Sequence, residues 1–221
     1  MKKIILSIVL TVFSFTSASA EIGVNVGASG QVGVFIATAK DDDKNAAGTI
    51  TKTQKTTDYM SAGYGSLFIE KTLGDKFAIG IDYVPQSLET ESTEVRRTHI
   101  TTAYQEVTTS VENKIQVDFK DLTTIYAVFN VNENLYIKGG VASVDVITNE
   151  NLGTGGAYGN TNLDATMFGF GYNKSMDNGV FVRLEANYLD FDGTSLSSGD
   201  HTIALTSLHG LNGKLSIGRS F

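Results

Sequence analysis

The sequence predicts an all-β fold, an eight-stranded antiparallel up-and-down transmembrane β-barrel, and three observations predict it. Apolar and polar residues alternate with a period of two along run after run, the pattern of strands with two unlike faces. The connections alternate in length: long after the first, third, fifth and seventh strands, short after the second, fourth and sixth. The chain starts with Lys2-Lys3, an apolar run from Ile4 to Phe15 and a small-x-small site at Ala18-Ser19-Ala20, which together read as a secretory signal peptide. The expected organisation is a signal peptide over 1–20 and one barrel domain over 21–221.

Composition narrows the class. There is no cysteine, so no disulfide framework can hold an exported chain, which leaves core packing or a closed hydrogen-bonded ring. Loss of Lys2 and Lys3 with the leader takes the formal charge from −7 to −9 over the remaining 201 residues, an acidic balance that argues against nucleic acid as a partner. The leader is too short to span a membrane as a helix, and no later stretch approaches the roughly 18 to 20 consecutive apolar residues such a helix needs. Any crossing must be made by strands.

The first strand, 22–38, puts Val24, Val26, Ala28, Val32, Val34 and Ile36 on one parity and Asn25, Ser29 and Gln31 on the other. Residues 39–59, with Asp41-Asp42-Asp43-Lys44 and a Thr/Lys tract, show no period and read as a polar loop. The second strand, 61–72, sets Leu67 and Ile69 against Glu70, and 73–76 turn tightly into a third, where Phe77, Ile79, Ile81 and Tyr83 alternate with Ala78, Gly80 and Asp82. Pro85 and a Thr/Glu tract to about 113 form a second long connection. In the fourth strand, 114–131, parity slips near Lys120-Asp121, which is either a β-bulge or the rim of the apolar belt.

Residues 132–134 turn into a fifth strand, 135–146, where Ile137 and Val141 oppose Lys138 and Gly140, and a Gly-rich loop covers 148–162. Strands six and seven form one hairpin, 163–192, whose Asp177-Asn178-Gly179 supplies the positive-φ residues of a tight turn. Its second half has Val182, Leu184, Ala186 and Tyr188 on one face and Arg183, Glu185 and Asn187 on the other. After a fourth loop, 191–203, the last strand aligns Leu211, Leu215, Ile217, Arg219 and Phe221 opposite Asn212, Lys214 and Ser216.

Charges on the second face of so many strands argue against a soluble sandwich and for an apolar lipid face around a polar interior. The lumen then receives Glu70, Asp82, Lys138, Arg183, Glu185 and Lys214, three acids and three bases whose charges cancel. An eight-stranded barrel is only wide enough for side chains to fill, so these six read as a paired polar core. Arg183 is the expected centre, its planar fork able to hold two carboxylates at once, with Glu70, Asp82 and Glu185 as candidate partners and Lys138 and Lys214 completing neutrality.

The pieces LYIKGGV, MFGFGY, FVRLEANYLDF and KLSIGRSF resemble the late strands of the OmpA-like and opacity-type outer-membrane β-barrel family. Phe221 with Ile217 and Leu215 behind it is similar to the C-terminal signal read by the barrel-assembly machinery, although Arg219 stands where that family usually has an aromatic. The resemblance implies the outer membrane of a Gram-negative-type bacterium, contact with its lipid, and the assembly machinery as a partner during biogenesis. It further implies four surface loops facing an unidentified partner, and no C-terminal peptidoglycan-binding domain is expected. The function so implied is structural or surface-interacting around a closed, ion-paired lumen, with a small gated pore for ions or solutes as the alternative.

No cofactor or metal motif is present: His99 and His201 fall in expected loops, His209 lies near the top of the last strand, and Asp41-Asp42-Asp43 lacks the spaced ligands of an EF-hand. Ser207, His209 and Asp190 share the outward parity, a Ser/His/Asp inventory similar in kind to barrels that deacylate lipid A. That makes an outer-leaflet lipid A acyl hydrolase a further alternative to the non-enzymatic expectation.

Overall fold

A computed structural model describes residues 23–44, 49–89, 93–100, 108–151, 158–198 and 201–221; the expected signal peptide, 1–20, lies outside the described residues. Eleven strands follow one another: β1 (Val24–Lys44), β2 (Ile50–Leu73), β3 (Phe77–Tyr83), β4 (Leu88–Glu89), β5 (Thr93–Ile100), β6 (Thr108–Asn130), β7 (Leu135–Asn151), β8 (Thr161–Ser175), β9 (Val180–Phe191), β10 (Thr194–Ser198) and β11 (His201–Ser220). Eight of them close a ring, β1-β2-β3-β6-β7-β8-β9-β11 and back to β1, with every adjacent pair antiparallel. Closure leaves a sheet edge only where β2 runs on above the last β2–β3 pair, Leu67↔Tyr83, among the described residues. The short strands prolong neighbours above the ring: β4 and β5 resume the β3 line beyond Pro85 and pair with β6, while β10 resumes the β9 line beyond Asp192-Gly193 and pairs with β11.

Alternation decides the two faces. Val32, Phe168, Phe170, Leu184, Leu211, Leu215 and Ile217 point outward and are exposed, while their neighbours Gln31, Met167, Gly169, Arg183, Glu185, Asn212, Lys214 and Ser216 point inward and are buried. The outer surface is thus an apolar belt, with aromatics near both borders: Phe77 packs on Phe129 at 5.2 Å between ring centres near the short turns, and Tyr59, Tyr83 and Tyr188 lie toward the other end. About ten residues per strand at ~3.3 Å rise and ~45° tilt give a belt on the order of 25 Å tall, close to the hydrocarbon thickness of a bilayer. The tight turns use Gly74 at φ 66° and Gly179 at φ 81°, as short hairpins require.

Two sequence readings are corrected above the belt. The long connections are largely paired strand rather than polar loop: β1 and β2 stay in register out to Asp43↔Lys52 and end, after a shift, at Lys44↔Ile50, and β6 pairs with β5 and β7 out to Ile100↔Thr108 and Lys114↔Asn151. The side chains of 50–59 are exposed on both faces of their ribbon or nearly so, and with both faces wet no apolar alternation is required. Thr-rich strands then hold by their ladder alone, invisible to a period-two search. The interior is also not polar throughout. Its upper part is filled by Phe35, Val84, Leu88, Leu122, Val144, Val146, Leu163, Leu189, Phe191 and Leu208.

The slip at Lys120-Asp121 is a β-bulge. Lys120 pairs with Asp145 and Thr123 with Ser143, so β6 carries one extra residue there, with Asp121 at φ 56°. The bulge moves the inward set from Thr124, Tyr126 and Val128 to Phe119 and Val117.

One seam is short. β2 and β3 share seven residue pairs, from Leu73↔Phe77 to Leu67↔Tyr83. Twenty-one pairs join β1 to β2, and at least eleven join each adjacent pair from β6 round to β1. Above Tyr83 the chain turns through Val84-Pro85, where the Val84 N–H donates to the Leu122 carbonyl of β6 and Gln86 Nε2 reaches across to Gly63 O of β2 at a long 3.5 Å.

Candidate functional site in the barrel lumen

The six charged lumen residues come from β2, β3, β7, β9 and β11, and the strand pleat aims all of them inward, where each is at least nine-tenths buried. They form three ion pairs. Arg183 Nη1 donates to Glu70 Oε1 at 2.5 Å, Lys138 Nζ to Glu185 Oε2 at 3.2 Å, and Lys214 Nζ to Asp82 Oδ2. The expected hub is corrected: Arg183 serves one carboxylate, not two, because its Nε is taken by Asn173 Oδ1 at 3.2 Å, and Asp82 and Glu185 are held by the lysines.

Two tyrosines that sequence reasoning passed over join the pairs. The Tyr126 hydroxyl donates to Glu70 at 2.9 Å while its ring lies 3.8 Å under the Lys138 ammonium. Reciprocally, the Tyr136 hydroxyl donates to Glu185 at 2.6 Å while its ring faces the Arg183 guanidinium at 5.5 Å. Each ring thus supports the cation of one pair and each hydroxyl the anion of the other. The rings fit because Gly80 and Gly171 face them, where a Cβ would collide. Their signal was parity: Tyr136 stands two residues before Lys138 on one strand face.

Amides and hydroxyls supply the remaining donors. Asn25 and Asn187 donate to Glu70 and Glu185 at 3.1 and 3.4 Å, and Ser66 donates to Asp82 at 3.1 Å. Asn212 then links Asn187, Gln31 and Tyr64 above the charges. Burying an ion costs several kcal/mol, offset only when geometry and extra hydrogen bonds are good, so this network contributes little net stability while intact and costs much when broken. Toward the short turns the lumen ends on Phe68 and Phe181, 6.2 Å apart, whose rings fill the space left by Gly27 and Gly218.

On the outside, Leu215, Ile217 and Phe221 of the expected assembly signal point outward and are exposed, with the Arg219 guanidinium 5.3 Å from the Phe221 ring. His209 Nδ1 lies 2.9 Å from Asp190 Oδ1 and 3.0 Å from the Tyr188 hydroxyl, at the belt border. Of the Ser/His/Asp inventory, the structure brings Asp190 and His209 together. His99 lies on β5 and His201 opens β11, not in loops; their side chains are outside the described residues. Among the described residues no cluster of three or more metal-ligating side chains occurs.

No family model matches the sequence, and no curated protein matches it. Among solved structures the chain is similar to the outer membrane protein OprG from Pseudomonas aeruginosa, with 12% identity over 88% of this chain and 96% of that one and a TM-score of 0.46. It is similar to the outer membrane protease OmpT from Escherichia coli, with 9% identity over 94% and 99% and a TM-score of 0.45. It is also similar to Ail, the attachment invasion locus protein of Yersinia pestis, with 12% identity over 87% and 99% and a TM-score of 0.35. These TM-scores lie below 0.5, so the barrel assignment stands on the pairing of the chain's own strands.

Proposed function

We propose that this protein is exported, inserts its apolar belt into a Gram-negative-type outer membrane with the help of the barrel-assembly machinery, and works there as a surface scaffold. The short turns face the periplasm, and the tall paired hairpins stand outside the cell as the partner-facing surface. The observation that carries this reading is the lumen, closed in three layers: Phe68 and Phe181 below, the three ion pairs in the middle, and apolar packing above. A scaffold needs a stiff support for its hairpins and no conduit. The gated-pore alternative draws on one feature: Lys138, paired with Glu185, lines the same small cavity as the Lys214–Asp82 pair, so Asp82 stands beside it as a second carboxylate for an exchange of partners. Refolded protein in planar bilayers separates the two. A scaffold gives no unitary current steps at any voltage the bilayer survives; reproducible steps would overturn it in favour of the pore.

A further inference from the structure

A cavity of about 30 Å³ lies between the ion pairs and the apolar packing above them, room for about two water molecules at roughly 10 to 15 Å³ each. Its floor is polar, with Asp82, Lys214, Asn187 and Asn212, and its upper wall is apolar, with Leu122 and Leu189. Asn187 lines this cavity, and its Oδ1, set against Gly169, is buried with no hydrogen-bond partner among the described residues. A buried amide oxygen left without a donor is destabilising, and a water donor removes that cost.

Among the described residues both ends of the bore are filled. Below stand the ion pairs and the Phe68–Phe181 pair; above, Phe35 closes on Gly33 and Gly210, and Phe191, Leu208 and Val144 fill the bore. The cavity is, however, flanked by Tyr64 and Val84, and these two residues border the short seam: Tyr64 lies on β2 just above the last pair Leu67↔Tyr83, and Val84 follows Tyr83. The wall at this height has no β2–β3 ladder, and its outward residues are Gly63 and Gly65 on one side and Pro85 and Gln86 on the other.

We propose that the cavity is a hydration site for about two water molecules, in which a water donates to Asn187 Oδ1, and that it fills sideways through the seam between β2 and β3 rather than along the barrel axis. The seam begins beside Tyr83, whose hydroxyl donates to Asp121 at 2.8 Å, so it opens at the polar border of the belt where interfacial water is at hand. Side entry keeps the ion pairs hydrated at one edge while the axis stays shut.

The chain has no cysteine, so single substitutions can be read cleanly. The probe is 2-aminoethyl methanethiosulfonate, acting on folded protein in detergent micelles, with folding checked by gel mobility before and after heating. Val84→Cys is expected to react at least about tenfold faster than Val144→Cys, which is buried in the apolar packing, and a Gly65→Trp cover over the seam is expected to remove about that gain. Equal rates at the two cysteines, or a rate at Val84→Cys untouched by Gly65→Trp, would overturn side entry. In the unsubstituted chain, NMR cross-peaks between water and the Asn187 side-chain amide are expected; a dry amide there would overturn the hydration site whether or not the variants fold.

Discussion

Arg183 shows how much of the site rests on single side chains. Its guanidinium gives one nitrogen to Glu70 and another to Asn173, and it lies 4.5 Å from the Phe181 ring, so it ties the charged layer to the aromatic floor. Arg183→Ala leaves Glu70 buried with its cation gone, and urea unfolding in micelles should show a loss of about 3–5 kcal/mol. Adding Glu70→Gln should recover part of that loss, whereas adding Glu185→Ala should not, because Glu185 answers to Lys138. Recovery with Glu185→Ala instead would mean that the pairs are drawn wrongly. The inward placement of all six charges was legible from parity alone. Their partners were not: Arg183 and Glu70 stand 113 residues apart, and which carboxylate meets which base depends on the stagger of the closed ring. Tyr126 and Tyr136 were hidden for another reason, since an aromatic in an alternating strand reads as belt or filling until the ring opposite it is known.

Among the elements, β3 is the one whose boundary has most consequence. It ends after seven residues because Val84-Pro85 follows, and proline cannot donate to a ladder. The line resumes as β4 and β5 against β6 only, so β2 is left without a neighbour on that side above Leu67. Local opening should start there. Hydrogen exchange followed by NMR should find the amides of Phe77–Tyr83 less protected than those of β7 between Leu135 and Val146, where twelve pairs run to β8. Stronger protection in β3 than in β7 would contradict a weak seam. The eight staves and tight turns were readable because one buried face forces a period of two. The hairpin extensions were not, because Lys40↔Lys55 and Asp42↔Thr53 face each other with water on both sides. The bulge announced itself as a broken parity, and only the register with β7 told it from a rim.

At the scale of the whole molecule, two opposite solvents explain one sequence. Leu184, 62% exposed on the outer face, and Glu185, 5% exposed in the lumen, are neighbours in the chain, and both are reasonable only if lipid lies outside and a packed polar core inside. The alternation along β9 therefore carries the central claim of a lipid-embedded, closed barrel, and a spin-label scan of Phe181–Asp190 in lipid vesicles tests it most directly. Each position would be changed singly to cysteine and labelled, and relaxation by oxygen, which dissolves in lipid, compared with relaxation by a nickel chelate confined to water. The predicted result has a period of two: high oxygen and low nickel collision at positions 182, 184, 186 and 188, and low collision with both at 183, 185 and 187. Nickel access at 183, 185 and 187 would mean a water-filled bore, and nickel access at 182, 184 and 186 would mean that the belt meets water and the barrel does not span a membrane.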